Sequence, residues 1–521
     1  MCSMIPGPEP ISYWLREPGP TFRPLAGETD ADVVIVGGGF TGLWTAIALT
    51  DTDPALRVVV LEADTVAYGA SGRNGGFCEA SLTHGLANGL LHFPEELERL
   101  EHEGVENLRD LVAFTRAHGI ECDLEETGTL GLADQPYQVD EFREWADVAA
   151  AHGEELEVLD RDAVQAEVHS PIWRAGLYRP PGRDVMLDPA ALCRGIARVA
   201  AERGVRIHEH SKVTGLERRA GGVTVRTAQG ATVRADQVVV ATSAYSGWLR
   251  RLSYSFVPVY DYVLVSDPMT PDQQRSIGWE RRQGLWDANN QFHYFRLTAD
   301  DRILWGGYDA VYHYGSKVGP GLDRRPATFD KLEAQFFRAF PQLEGLGFPY
   351  RWGGAIDATT RFTVTFGQTM GGRVTLPSRI SLKLATVSLM DTYWPSRPVN
   401  TWATGPCRWP PWPANCRPGW RPRPDDPTCV GRVARSRTYE SKPMPSASRV
   451  CSRSPRRPSL RSARSSSWRT RLTATDRSGS GGKGTGMLWT KRSLSRSESG
   501  RRMKSRTTPP AHRLAPTPRP V

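Results

Sequence analysis

A strand, helix and strand unit near the N-terminus constrains the fold of this chain more than any other feature. Residues 32–36 read Asp-Val-Val-Ile-Val, an apolar β-branched run that is too short for a helix and typical of a buried parallel strand. A glycine-rich turn at 37–42, a helix-forming run at 43–49 and a second apolar strand at 57–61 follow. The pattern predicts a βαβ unit, and therefore a parallel sheet.

The turn of this unit has the spacing of a dinucleotide-binding site. Its glycines stand in the G-x-G-x-x-G register, which allows a tight turn, a close approach of pyrophosphate and close packing of helix on strand. The register predicts the cofactor-binding residues Gly37, Gly39, Phe40, Thr41 and Gly42. Glu62, 20 residues after the last glycine, is placed to accept hydrogen bonds from ribose hydroxyls and disfavours the 2′-phosphate of NADP. The alternative is a glycine-rich turn that binds nothing.

Helical and strand patterns alternate over the next three hundred residues. Helical spacing is seen after Pro94, with a break at Gly104, and again over 188–204, whose Asp-Pro start and glycine end are typical of a helix. Short strands return at 205–207, 212–214, 223–225 and 237–241, and residues 256–314 are aromatic and β-like. We therefore predict an α/β chain, α+β overall, with a split Rossmann-like domain and an antiparallel-sheet substrate domain.

The charge and the apolar content of the chain change abruptly near residue 370. Residues 1–370 carry 35 basic and 51 acidic side chains, whereas residues 371–521 carry 31 basic and 6 acidic ones. Only 17 of the last 151 residues are Phe, Ile, Leu or Val, about 11%, which is below the roughly 20% that a charged chain needs in order to fold. The net charge of +9 thus sums an acidic body and a basic tail, and we expect the tail to be disordered.

Other features of the composition exclude some classes of protein. No run approaches the ~18 apolar residues of a membrane span, and residues 1–30 lack the basic and apolar regions of a signal peptide, so we expect a cytoplasmic protein that does not engage a membrane. The eight cysteines form no Cys-x-x-Cys pair. We therefore expect neither a metal site nor a disulfide framework.

Several motifs resemble one known family. The chain is similar to the D-amino-acid-oxidase-like FAD-dependent oxidoreductases, and most of all to their gamma-glutamylputrescine oxidase-like branch. The resemblance spans roughly residues 10–373 and rests on the segments 12–14, 36–43, 68–76, 235–242, 260–264 and 352–357. Its most specific part is Gly-Ala-Ser-Gly-Arg-Asn-Gly-Gly at 69–76, a loop whose exposed N–H groups suit a flat ring or a phosphate.

The resemblance implies FAD as the cofactor and adds residues to its site. Ser71, Arg73, Asn74 and Gly75 are expected along the flavin and the pyrophosphate, and the Val213 backbone near the adenine. The implied reaction is oxidation of an amine or amino acid to an imine, with hydride transfer to flavin N5 and reoxidation by oxygen or another electron acceptor. The implied partners are therefore a small-molecule amine or amino-acid substrate and that acceptor.

Because the flavin supplies the difficult chemistry, the protein has mainly to position the substrate and to keep the site dry. Aromatic and polar residues of the β layer and one histidine after the glycine-rich loop are the candidates for the catalytic set: His84, Tyr260, His293, Tyr294 and Arg296. Each has a structural alternative, such as packing within a strand for a tyrosine or a surface role for a histidine. Arg296 would favour a substrate with a carboxylate.

The motifs and the composition together divide the chain into segments. The predicted division is an N-terminal lead (1–30), FAD-binding parts (31–95, 185–255 and a third part starting at 351–374), substrate-domain parts (96–184 and 256–350) and a tail (375–521).

The family pattern ends close to the change in charge. The family closes its FAD site with a glycine-rich segment shortly after Gly-Gly-Arg-Val, but here residues 371–374 are followed by Thr-Leu-Pro-Ser-Arg-Ile-Ser. Residues 375–521 are therefore either a genuine basic tail that binds acidic partners or the product of a reading-frame change in a GC-rich gene. We favour the frame change, because the missing segment is one that the family needs.

Two further functions compete with the flavoenzyme interpretation. An NAD-dependent dehydrogenase would need one uninterrupted nucleotide domain, and the interrupted pattern argues against it. A catalytically defective protein whose basic tail binds acidic partners would show salt-sensitive binding, and nucleic acid is an unlikely partner except through that tail.

Overall fold

The fold is available as a computed structural model that describes residues 12–249, 255–307, 309–360 and 362–378. The first 11 residues of the predicted lead lie outside this range. Of the predicted tail (375–521), residues 375–378 belong to a paired strand, so the expected disorder is wrong for these four residues. The disorder and the frame-change hypothesis fall outside the described residues from 379 onward and stay predictions.

Strands and helices alternate along the described residues. The strands are β1 (Glu28–Val36), β2 (Val58–Leu61), β3 (Phe77–Glu79), β4 (Thr129–Ala133), β5 (Glu157–Leu159), β6 (Ala175–Arg179), β7 (Asp184–Met186), β8 (Arg206–His208), β9 (Val213–Arg219), β10 (Gly222–Thr227), β11 (Thr232–Val240), β12 (Phe256–Val265), β13 (Gly284–Asp287), β14 (His293–Leu297), β15 (Ile303–Gly307), β16 (Tyr350–Thr359), β17 (Thr365–Thr369) and β18 (Val374–Ser378). The helices are α1 (Phe40–Thr52), α2 (Leu86–His92), α3 (Leu97–Ala117), α4 (Pro136–Ala150), α5 (Arg161–Glu167), α6 (Pro189–Glu202), α7 (Pro271–Ile277) and α8 (Pro326–Ala339).

The first sheet confirms the split Rossmann-like arrangement. Its strand order is β17-β18-β11-β1-β2-β8, and the β9–β10 hairpin extends it beside β11. β1 pairs in parallel with β2 and with β11, so that Val36 lies opposite both Leu61 and Val240. Strands from both ends of a long insertion are thus neighbours, and their carboxyl ends meet at one edge. In open α/β sheets this edge is where ligands bind.

The second sheet has the order β16-β12-β15-β14-β13-β4-β6-β5. The antiparallel prediction for residues 256–314 holds for the pairs that β12, β13, β14 and β15 form among themselves. Outside that range, β4 joins β13 in parallel. β4 comes from the insertion that precedes α6 and not from a hairpin with β13, so no tight turn forces the two strands to run in opposite directions.

The predicted helix break at Gly104 is wrong, since α3 runs without interruption from Leu97 to Ala117. A Cβ atom at Gly104 would lie 3.0 Å from the main-chain oxygen of Ala80. The glycine lets the helix approach the segment after β3, which is a tertiary contact that local sequence does not reveal.

One hydrophobic cluster joins the two sheets. It contains Ile35 and Val60 of the first sheet and Val263, Leu304 and Trp352 of the second, all at most 1% exposed. α1 and α6 pack beside each other against the first sheet and contribute to the same cluster. The two sheets are therefore held together by continuous packing. In the described ranges, no helix is both long enough and apolar enough to cross a bilayer.

Candidate functional site

The glycine-rich turn lies between the end of β1 and the start of α1. Gly37 has φ +114°, and its N–H donates to the Leu61 carbonyl at 2.9 Å. Ala241, just after β11, donates to the Val36 carbonyl at 2.8 Å, so the turn is held from both neighbouring strands. At Gly42 a Cβ atom would overlap the Gly37 carbonyl. The turn and the helix can therefore pack this closely only with glycine.

The N-terminus of α1 lies in the glycine-rich turn. Its N-cap residue is Gly39, which has no side chain to satisfy the first amides of the helix. The hydroxyl of Ser71 accepts the Phe40 N–H at 3.0 Å and would lie 2.8 Å from a Cβ atom on Gly39. A 13-residue helix with its positive end in a glycine cradle suits a pyrophosphate.

Glu62 lies at the end of β2, beside this cradle. One carboxylate oxygen accepts the Gly38 N–H at 2.6 Å and the other accepts the Asp64 N–H at 3.0 Å. Burial raises the pKa of Glu62, and the two amide hydrogen bonds oppose that shift. A carboxylate oxygen can accept more than one hydrogen bond, so these contacts leave room for a ribose hydroxyl, and the ribose contact of Glu62 stays a prediction.

Val213 begins β9 on the Glu62 side of the turn. The N–H of Ser211, two residues earlier, donates to the Glu62 carbonyl at 2.7 Å. The Val213 side chain is buried in the core of the first sheet. This position, near Glu62, fits the predicted place of the adenine, and the contact stays a prediction.

The loop at residues 69–76, which we call the flavin loop, is built around Asn74. Its side-chain N–H₂ donates to the Ala70 and Ser71 carbonyls at 3.1 and 3.0 Å, and its side-chain oxygen accepts the Gly76 N–H at 2.9 Å. Trp14 donates to the Asn74 carbonyl at 2.7 Å. The Asn74 side chain therefore fixes the shape of the loop. The loop would contact a flavin ring through its main-chain atoms.

Arg73 ties the flavin loop to the second sheet. Its guanidinium donates to the Asp323 carboxylate at 2.8 Å and to the Gly353 carbonyl of β16 at 3.1 Å, and both ionic side chains are about 95% buried. Trp352 donates to the Arg73 carbonyl at 2.9 Å. Burial alone would lower the pKa of Arg73, but Asp323 and the surrounding phenols more than reverse the shift. Arg73 therefore has a structural role between the loop and the second sheet. Its contact with the flavin stays a prediction.

Two of the predicted catalytic residues, Tyr294 and Arg296, face the flavin loop from β14. A Cβ atom on Gly75 would lie 2.6 Å from the Tyr294 ring, and Arg296 donates to the Gly76 carbonyl at 3.1 Å. The Tyr294 hydroxyl donates to the buried carboxyl of Asp261 at 2.7 Å. Burial raises the pKa of Asp261 to about 7.

Tyr260 and His293 serve other contacts in the second sheet. The Tyr260 hydroxyl bonds both the N–H and the carbonyl of Gly319, at 3.0 and 3.3 Å. His293 is on the opposite face of β14 from Tyr294, with Nδ1 2.5 Å from the Asp287 carboxylate and Nε2 3.0 Å from the Gln335 amide oxygen. The structure therefore does not bring His293 to the flavin loop. A substrate contact of Tyr260 stays a prediction.

His84 lies outside the β layer, in the turn before α2, and has φ +67°. Thr83 and Gly85 beside it are held by hydrogen bonds to Asn88 and Ser81. Asn88 also donates to the Phe362 carbonyl at 2.9 Å, which connects this turn to the segment after β16. A role of His84 in binding substrate stays a prediction.

Sequence reasoning missed two tyrosines that gather around the Arg73–Asp323 pair. Tyr68 lies under the guanidinium, whose carbon is 4.6 Å from its ring centre, and Tyr245 approaches Gly69 of the flavin loop. Loss of solvent raises the pKa of Tyr245, and Asp323 and Tyr260 add to this shift. The position of Tyr245 soon after β11, at the carboxyl edge of a parallel strand, is the signal that could have identified it.

These features fit a dinucleotide with a large ring system. The glycine cradle and helix terminus suit the pyrophosphate, Glu62 suits a ribose, and the flavin loop leads from the helix terminus to the second sheet. Across the described residues, no three His, Cys, Asp or Glu side chains are grouped to hold a metal ion.

Comparison with known proteins gives the same result. The DAO family model, described as FAD dependent oxidoreductase, matches residues 32–376. The chain is 31% identical over 354 residues to the gamma-glutamylputrescine oxidoreductase of Escherichia coli, a match that covers 67% of this chain and 78% of that protein. It is 27% identical over 355 residues to the probable oxidoreductase OrdL of Haemophilus influenzae, with the same coverage.

Solved structures share the fold. The crystal structure of glycine oxidase from Geobacillus kaustophilus aligns with a TM-score of 0.59 at 18% identity, covering 72% of this chain and 94% of that one. The family match spans the glycine cradle, the flavin loop and the strands of both sheets. The chain belongs to the DAO family of FAD-dependent oxidoreductases.

Proposed function

We propose that this flavoprotein oxidises an amine or an amino acid to an imine, in the manner of a gamma-glutamylputrescine oxidase. The observation that carries the proposal is the group of phenols, Tyr68, Tyr245 and Tyr260, around the neutralised Arg73–Asp323 pair beside the flavin loop. The identity of 31% to gamma-glutamylputrescine oxidoreductase supports the substrate class.

A phenol-lined site suits the form of the substrate that reacts. An amine can lose hydride from its α-carbon only when its nitrogen lone pair is free, so the protein must bind it without a strong acid that would protonate it. Phenols have an ordinary pKa of about 10 and so are neutral at physiological pH, and burial raises the pKa of Tyr68, Tyr245 and Tyr260 further. Neutral hydroxyls can orient an uncharged amine by hydrogen bonds.

The reaction balances with these groups. Bound FAD supplies the acceptor for a hydride from the substrate carbon. The nitrogen lone pair forms the C=N bond, and the nitrogen proton leaves to solvent. Water then adds to the imine and releases ammonia or an amine. Two electrons and two protons pass to oxygen as hydrogen peroxide, or to another acceptor. The protein contributes orientation and a dry site.

A panel of substrates tests the proposal. Purified protein loaded with FAD would be assayed for peroxide release and for anaerobic bleaching of the flavin with gamma-glutamylputrescine, putrescine, sarcosine, glycine and L-2-hydroxyglutarate. We expect gamma-glutamylputrescine to react with the largest kcat/KM. Reaction with the hydroxy acid alone, or with none of the amines, would contradict the proposal.

The competing functions are separated by simpler measurements. An NAD-dependent dehydrogenase would bind NAD and show no flavin absorbance, whereas we expect a yellow protein. In a defective protein whose basic tail binds acidic partners, no substrate would bleach the flavin. Such a protein would also bind nucleic acid with an affinity that falls steeply as salt rises. We keep a cytoplasmic location as part of the proposal.

A further inference from the structure

Arg296 holds a positive charge in a place where solvent is almost absent. Its side chain is 1% exposed. The hydrogen bonds that the described residues provide all end on main-chain oxygens: Nη1 donates to Gly76 at 3.1 Å and to Leu187 at 2.8 Å, and Nε donates to Leu297 at 3.1 Å. Burial lowers the pKa of Arg296 to about 10, which still leaves it charged at neutral pH.

The fields of three carboxylates, Glu125, Asp188 and Asp123, reach this guanidinium, but none of them is among its hydrogen-bond partners in the described residues. Glu125 pairs with Arg282 at 3.1 Å, and Asp188 accepts the first two amides of α6. A buried cation without a hydrogen-bonded carboxylate costs several kcal/mol of folding free energy. Protein interiors keep such a charge chiefly where it acts on something else.

The nearest functional element is the flavin loop. Tyr294 and Arg296 are two residues apart on β14 and so face the same side of the sheet, where they contact Gly75 and Gly76 respectively. A Cβ atom on Gly76 would lie 2.8 Å from Arg296 Nη1. Loop and guanidinium are therefore in direct contact, with no side chain between them.

The direction of the loop places this contact at the ring end of the cofactor. Ser71 bonds the first amide of α1, where the pyrophosphate is expected, and Glu62 and Val213 are the residues expected on the adenosine side. From Ser71 the loop runs to Gly76 on the second sheet. The remaining half of FAD, which carries the isoalloxazine ring, has to lie on that side.

We propose that Arg296 is a positioning residue that acts through the flavin loop, and that its buried charge raises the electron affinity of the bound FAD. The reduced ring carries more negative charge than the oxidised ring, so a cation behind the loop stabilises it selectively. The effect is independent of which substrate is oxidised and so goes beyond the proposed function.

Sulfite is a probe that reports this affinity without substrate. The sulfur lone pair of sulfite forms a bond to flavin N5 and so moves negative charge into the ring. No group leaves in this addition, and the yellow absorbance of the flavin is lost. The dissociation constant for sulfite and the reduction potential against a reference dye would be measured on FAD-loaded wild type, Arg296→Met, Arg296→Gln and Arg296→Lys. Arg275→Met, a change at an exposed arginine of α7, is the control.

Both neutral variants are expected to bind sulfite about 15-fold more weakly. This is the effect of removing one charge at roughly 10 Å from the ring at an effective dielectric constant of about 20. Their reduction potentials should fall. At neutral pH, the potentials and sulfite affinities of Arg296→Lys and of the control should stay close to those of wild type. A merely structural role would alter stability or FAD occupancy but not the potential of the FAD that remains bound. A neutral variant that holds FAD with the wild-type potential and sulfite affinity would overturn the proposal.

Arg296→Lys keeps the test decisive if the neutral variants do not fold. A buried lysine loses its proton at a lower pH than a buried arginine. Its sulfite affinity should therefore fall below that of wild type as the pH rises toward about 10. Sulfite affinities that match at every pH in that range would equally overturn the proposal.

Discussion

Single residues of the site combine charge and burial in two contrasting ways. Arg73 and Asp323 form a pair whose members compensate each other, 2.8 Å apart and nearly excluded from solvent. Asp261 is a buried carboxyl that is held by a phenol and forms no ion pair with the residues that the structure describes. We therefore expect a large loss of folding free energy when one member of the pair is removed. For the isolated carboxyl we expect a stability that depends on pH.

Asp323→Asn should destabilise the protein by about 3 kcal/mol, because it leaves the Arg73 charge buried without its counterion. The amide keeps one hydrogen bond, which places the loss at the low end of the usual range. The free energy of unfolding from urea titrations measures the effect. Asp272→Asn, at an exposed pair with Arg275, is the matched control and should cost less than about 0.5 kcal/mol. Equal losses in both variants would contradict the buried-pair argument.

Asp261 should make the folded state less stable as the pH rises. Its pKa is raised to about 7 in the folded state, so the folded protein holds a proton that the unfolded chain releases near pH 4. The stability tied to this proton is complete below about pH 4 and is lost as the pH rises through about 7. Asp184, whose pKa burial raises to about 6, acts in the same direction.

Asp261→Asn isolates this contribution. The amide cannot ionise, so the unfolding free energy of wild type minus that of the variant should fall by a few kcal/mol between about pH 4 and about pH 7 and then level off. The contribution of Asp184 is common to both proteins and cancels. A difference that is flat over this range, measured by denaturant titration in a buffer series, would show that Asp261 is ionised throughout.

The sequence predicted well the helices and strands that depend on residues close to one another in the chain. The β1–α1–β2 unit and α6 follow from apolar runs, a proline start and glycine ends. The short strands β4, β5 and β6 were not predicted, since runs of three to five residues acquire their identity from pairing partners. In the site, the glycine register was readable, whereas the docking of the flavin loop on β14 depends on contacts between residues about 220 positions apart.

α1 and its turn give a prediction at the scale of the element. Gly42→Ala should force the helix away from the Gly37 carbonyl, cost about 1 to 3 kcal/mol and reduce FAD occupancy. Gly215→Ala, in β9, is the control, because a Cβ atom there meets nothing within 4 Å. The ratio of flavin to protein absorbance after purification and the urea midpoint measure the two effects. A Gly42→Ala protein with full FAD and unchanged midpoint would refute this account of the turn.

For the molecule as a whole, the two sheets meet around the flavin loop. Trp352 and Arg73 connect the loop to β16, Arg296 connects it to β14, and Trp14 covers it from the N-terminal side. β16 lies in the second sheet and β17 in the first, so the chain changes sheets between Thr359 and Thr365, beyond the start of the third FAD-binding part predicted at residue 351. The predicted division into domains stays a prediction.

Removal of FAD should therefore loosen the contact between the sheets while each sheet persists. A ligand present at ~1,000 times its Kd stabilises the folded state by about 4 kcal/mol, so the apoprotein should unfold at a lower temperature. Hydrogen exchange followed by mass spectrometry should show faster exchange at residues 69–76 and 350–354 in the apoprotein. The β5–α5–β6 region at the far edge of the second sheet serves as the internal control and should be unchanged. Uniform acceleration across both sheets would mean that FAD stabilises the whole fold, and no acceleration in the flavin loop would mean that the loop does not contact the cofactor.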